Sequence, residues 1–124
     1  MMLVRALRGA TTVDEDRRDL VLAATEELLR VLMEDNGLDQ DDVVSAIFTA
    51  TPDLTSCFPA EGARRIGWTE VPLMCASEIP VRGALQRCVR VLLHVNTDVP
   101  RTEIRHVYLK EAAGLRPDIA EGAR

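Results

Sequence analysis

Imidazoles and thiols are few in this sequence. Two histidines, His94 and His106, and three cysteines, Cys57, Cys75 and Cys88, stand at unmatched spacing with no Cys-x-x-Cys pair. A structural zinc site is therefore not expected. An odd cysteine count without framework spacing predicts reduced thiols, as in a cytoplasm. There is no glycine-rich phosphate loop and no Gly-x-Ser-x-Gly. No apolar run approaches the roughly 18 residues of a membrane span. The opening Met1-Met2-Leu3-Val4-Arg5 acquires charge too soon for a signal peptide. The 15 basic residues, against 20 acidic ones, form no tail or stripe, which argues against nucleic acid. Aromatic residues make up 3% and apolar residues 47%, so Val, Leu, Ala and Ile must build the core.

What is present reads as one domain over residues 1–124, with residues 118–124 as a frayed tail. Leu3 to Val13 has strand character, with Gly9 allowing close backbone approach. Asp14 to Asn36 reads as a helix. Asp14, Glu15 and Asp16 offer an N-cap and an acidic first turn, and Asn36-Gly37 a left-handed stop. Val43 to Ala50 is nearly continuous in small apolar residues, as for a strand covered on both faces. Pro59 suits the first turn of a short helix from Ala60 to Ile66. Val71 to Ala76, the Arg90 segment and His106 to Leu109 complete the strands, with a helical turn at Thr102-Glu103. Lys110 to Pro117 reads as a polar tail region. Strands alternating with helices predict an α+β (mixed α/β) fold: a small mixed sheet with one long and one short helix. So small a sheet with few aromatics is expected to complete its core against copies of itself.

The segment Arg87 to Asn96 organises the rest. Alternation puts Val89, Val91, Leu93 and Val95 on one wholly apolar face, and Cys88, Arg90, Leu92 and His94 on the other. A guanidinium is not buried cheaply without acceptors. Either this face is solvated, as on an edge strand, or Arg90 stands at the wall of a site for an anion. Arg8, Arg64, Glu78, Tyr108 and Arg116 also fall at strand ends or beside them. Cations outnumber the single carboxylate there, although the chain is acidic. Arginine's planar fork suits a carboxylate ligand. On spacing alone, scattered surface salt bridges, each worth little, remain the better account.

The ordered set Arg8-Gly9-Ala10-Thr11-Thr12-Val13, Ala50-Thr51-Pro52-Asp53-Leu54, Phe58-Pro59-Ala60, Val71-Pro72 with Cys75 and Glu78, Cys88-Val89-Arg90-Val91, Thr97-Asp98-Val99-Pro100, Ile104 to Leu109 and Leu115-Arg116-Pro117-Asp118 resembles the monofunctional, trimeric α/β-class chorismate mutases. The match runs from about Leu3 to Asp118. It implies a cytoplasmic, cofactor-free isomerase: a homotrimeric pseudo-α/β-barrel with interface active sites that turn chorismate into prephenate. By the resemblance, Arg90 would bind a carboxylate and the ether oxygen, Arg8 a carboxylate, and Glu78 the ring hydroxyl, with Met74 and Cys75 nearby. Tyr108 would reach a carboxylate, Phe58 and Leu115 would form apolar walls, and Arg64 and Arg116 would lie at the mouth. Glu61 departs from the family, where lysine is common, and Arg82 stands where a glycine is common.

The chemistry fits the residues. A pericyclic shift needs no proton transfer and no covalent intermediate, so the lack of a Ser–His or Cys–His pair is expected. It needs a clamped geometry and a fixed cation at the oxygen that gathers charge. The alternatives are a small trimeric imine or enamine deaminase, whose Gly-Pro-Tyr-Ser-Gln stretch is absent here, and a trimer that binds a carboxylate without turnover.

Overall fold

The alternation that begins at Cys88 builds the middle of the sheet. The structure, a computed structural model, describes residues 2–118. Strand β4 (Cys88–Thr97) is the centre of a five-stranded sheet of order β3-β2-β4-β1-β5. It runs antiparallel to β1 (Leu3–Thr12) and to β2 (Val43–Ala50). At the edges, β3 (Leu73–Ser77) pairs parallel to β2, and β5 (Val107–Tyr108) parallel to β1. Arg90 therefore lies on the central strand, and the edge-strand account of it is wrong. Val89, Val91, Leu93 and Val95 are buried, while Arg90, Leu92 and His94 are half-buried. Cys88 is also buried, because Ala10, Tyr108 and Ala112 close over that end of the open face.

Helix α1 (Arg18–Asp35) covers the apolar face. Its Leu28, Leu29 and Leu32 join Leu7, Phe48, Val91, Leu93 and Val107 in the main core. The helix and β1 touch at Gly9, where an added Cβ would sit 2.7 Å from Leu32 Cδ1. That contact is the close approach expected after Arg8. Helix α2 (Ala60–Arg65) packs beside α1, and the single tryptophan, Trp68, is buried just beyond it.

The structure departs from the sequence reading in four places. Helix α1 starts at Arg18 with Arg17 as its N-cap and no side-chain cap. Asp16 is drawn away: its carboxylate accepts from Thr55 N (3.0 Å), Thr55 Oγ1 (2.9 Å) and Ser56 N (3.1 Å). Three aligned donors outweigh one local cap. The helix does stop at Asn36, with Gly37 at φ +60. Second, β2 is covered on one face only, leaving Val44 41% and Ile47 36% exposed. Third, β3 begins at Leu73 and not at Val71, because Pro72 has no N–H to give the ladder. Fourth, Lys110–Leu115 is a 3₁₀ helix, held by the burial of Ala112 against Ala10, Cys88 and Tyr108. Of the tail expected over 118–124, all but Asp118 lies outside the described residues.

Candidate active site

The sheet face turned away from α1 carries the charged groups. Register aligns Ala76, Thr49, Arg90, Ala10 and Tyr108 in one row across the strands. The next row runs Met74, Ile47, Leu92, Arg8. Paired residues point to the same face, so Arg8 and Arg90 are diagonal neighbours, roughly 7–8 Å apart along the sheet.

Arg90 is held but incompletely satisfied. Its Nε lies 3.4 Å from Glu78 Oε2, and its side chain is 43% exposed. That Nε is shielded from solvent yet has no hydrogen-bond partner among the described residues. Glu78 follows β3 directly, with its N–H donating to the Ala50 carbonyl at 2.9 Å. The Thr49 hydroxyl donates to Glu78 Oε2. Glu78 thus has a fixed place beside the guanidinium. Burial pushes the Cys88 thiol pKa up, and Arg90 beside it partly offsets this. A cysteine in that state packs and is not a nucleophile.

The β1–β5 side adds further groups. Tyr108 is buried, and Leu115 packs partly buried on the same small cluster. The Arg116 guanidinium is close enough to feel Tyr108, and it grips Asp118 through Nε at 3.2 Å and a terminal nitrogen at 3.1 Å. His106 Nδ1 accepts from the Arg8 backbone N–H at 2.9 Å. Burial, and then Arg8 and Arg116, hold the His106 pKa below its ordinary value.

The remaining candidates lie elsewhere. Cys75 pairs with Phe48 and packs on the main core, so within one chain it points away from Arg90. It lines an open pocket of about 550 Å³ with Pro52, Leu54, Ser56 and Phe58, beside the Asp16-anchored loop. Phe58 is 67% and Met74 63% exposed. Arg64 is exposed in the last turn of α2. Glu61, the departure noted from the sequence, forms an ion pair with Arg18 of α1. No group of three or more His, Cys, Asp or Glu among the described residues is placed to hold a metal ion.

A fixed, half-buried guanidinium beside a carboxylate, with a second arginine on the neighbouring strand, is a cradle for a small anion. Comparison with known proteins names the family. The family model described as chorismate mutase type I matches residues 4–119. The chain belongs to that family. A chorismate mutase AroH of Thermus thermophilus is 52% identical over 118 residues, covering 94% of this chain and 97% of the relative. Chorismate mutase AroH of Bacillus subtilis (strain 168) is 45% identical over 120 residues, covering 96% and 94%. A solved chorismate mutase from Clostridium thermocellum superposes with TM-score 0.88 at 50% identity, covering 89% of this chain and 98% of that one. These matches give no support to the deaminase or to a binding-only trimer.

The candidate site residues fall in two groups within one chain. The open face brings together Arg8, Glu78, Arg90, Tyr108 and Met74 by register and by the Glu78–Arg90 pair. Phe58 and Cys75 line the pocket at the β3 edge. Thr49 was missed by reading the sequence as separate motifs. The signal was its place in β2, which only the pairing with β4 puts opposite Arg90.

Proposed function

We propose that the protein is an isomerase that converts chorismate to prephenate, on the route to phenylalanine and tyrosine. The carrying observation is Arg90: a cation fixed on the central strand, its Nε shielded and without a hydrogen-bond partner among the described residues. In the rearrangement one carbon–oxygen bond breaks as one carbon–carbon bond forms. Negative charge gathers on the ether oxygen. A preorganised donor there stabilises the transition state more than the bound substrate. Arg90 takes that oxygen and a carboxylate, and Arg8 takes a carboxylate. Glu78 accepts from the ring hydroxyl while its other partner, Thr49, keeps it in place. Holding the flexible side chain over the ring supplies the near-attack geometry. Tyr108, Met74, Cys75, Phe58 and Leu115 line the cleft, with Arg64 and Arg116 at its mouth. No cofactor enters this chemistry.

The working form is a homotrimer of a single domain, with sites between protomers. Ile47 and Met74 (63% exposed), in one row with Leu92, leave an apolar patch on the sheet's outer face, which a second copy would cover. The free Cys57, Cys75 and Cys88 favour the cytoplasm. No helix among the described residues is long and apolar enough to cross a membrane.

Adding purified protein to chorismate tests the reading. Chorismate absorbance falls and nuclear magnetic resonance shows prephenate. If absorbance stays constant with folded protein present, the isomerase reading is wrong.

A further inference from the structure

We infer that His106 is the positioning residue that sets Arg8, by supplying through its ring the main-chain acceptor that β5 no longer provides. This inference rests on the proposed isomerase reading and extends it. The β1–β5 ladder is only two residues long, pairing Gly9 with Val107 and Ala10 with Tyr108. Just past it, the Leu109 N–H donates to the Ala10 carbonyl at 2.9 Å. At the other end the ladder stops at Arg8. There the Arg8 N–H turns to the β5 side and finds His106 Nδ1 at 2.9 Å. A backbone has one N–H, so an amide aimed at the ring cannot also bond β4.

The bond fixes more than an amide. With Nδ1 accepting, the ring proton sits on Nε2, and the imidazole is neutral. The groups facing the ring that carry charge are the Arg8 and Arg116 guanidiniums, and both oppose a third positive charge there. Of these, Arg8 is the proposed carboxylate clamp, and Arg116 stands at the mouth of the same cleft. Loss of the acceptor leaves a partly buried donor unpaired, and the Arg8 main chain shifts to find water. A shift of that kind moves a clamp whose grip depends on fork geometry. The reacting ether oxygen, held by Arg90 on another strand, is less affected. The loss should therefore fall on KM more than on kcat.

The geometry of substitutes makes this testable. Asparagine carries its Oδ1 on the same carbon that bears Nδ1 in histidine, so His106→Asn keeps an acceptor in place. His106→Gln carries its oxygen one atom further out, and His106→Leu has none. Steady-state kinetics on chorismate should give His106→Asn a KM within about threefold of wild type. His106→Leu and His106→Gln should raise KM on the order of tenfold, with kcat within a few-fold, for loss of one such bond. If His106→Leu does not fold, the Asn and Gln pair decides. Equal KM in wild type, Gln and Leu proteins overturns the inference, and so does a KM for Asn as poor as for Leu. A wild type that leaves chorismate unchanged overturns the isomerase reading instead, whatever the variants do.

Discussion

Glu78 Oε2 stands 3.4 Å from Arg90 Nε, yet its hydrogen bond comes from Thr49 and not from the guanidinium. The carboxylate is tethered by a neighbour and sits beside a cation that it does not saturate. A site arranged this way keeps the Arg90 Nε donor free for an incoming anion while limiting the penalty of a partly buried charge.

Replacing that cation is the most severe change available. Arg90→Ala should lower kcat/KM by about 10²- to 10³-fold, the loss typical of one transition-state donor. Arg90→Lys should also be severe, since a point charge does not reproduce the planar fork. Steady-state kinetics on folded protein checks both. A loss under about tenfold for alanine removes Arg90 from the proposed role.

The Thr49 tether predicts a milder phenotype. Thr49→Val keeps the shape of the side chain and removes the donor to Glu78. The carboxylate is then free to close on Arg90. An activity loss of about three- to tenfold is expected, with the melting temperature little changed. Unchanged kcat/KM would show that Glu78 needs no tether.

His106 gives stability a pH dependence of known sign. Its folded pKa lies below the ordinary 6.5 through burial, Arg8 and Arg116. On acidification the unfolded imidazole takes its proton first, so the unfolded state binds more protons. This contribution is complete above pH 6.5 and is lost as pH falls through the lower, folded pKa. Urea midpoints should fall more steeply below that pH in the wild type than in His106→Asn. Parallel curves would remove the effect.

Gly9 tests the packing that places β1. A methyl group there would meet Leu32 Cδ1 at 2.7 Å, Leu28 Cδ1 at 3.1 Å and Val91 Cγ1 at 3.3 Å. Overpacking of this kind typically costs about 1–3 kcal/mol. Urea unfolding of Gly9→Ala should show a loss in that range. Because Gly9 adjoins Arg8, activity should fall with it.

Ile47 lies in the open-face row between Met74 and Leu92. Ile47→Lys should dissociate the proposed trimer, as read by sedimentation or light scattering. A wild type that is monomeric at micromolar concentration would remove the interface.

Much of this was legible in the chain itself. The alternation from Cys88 gives β4 and its core face directly, and Asn36-Gly37 ends α1 as composition requires. What escaped depends on contacts distant in sequence. Asp16 is a good local cap by chemistry, but donors at Thr55 and Ser56 claim it. The 3₁₀ helix Lys110–Leu115 has weak local character and forms where Ala112 finds a buried slot. The apolar run of β2 reads as doubly covered, yet its outer face stays open, with Val44 and Ile47 exposed; the proposed trimer would supply the missing cover. The separation of Cys75 from Arg90 follows from pairing parity, which no linear motif displays.

Phe58 and Cys75 border the pocket at the β3 edge, while Arg90 and Glu78 stand on the open sheet face, and in the proposed trimer the first piece of one chain meets the second piece of its neighbour. Damage to one half therefore leaves the other serviceable. Chains disabled at Arg90, blended with chains disabled at Phe58 and allowed to reassociate, should regenerate an unblemished pocket wherever the two intact halves meet. Two inert preparations would then become active on mixing.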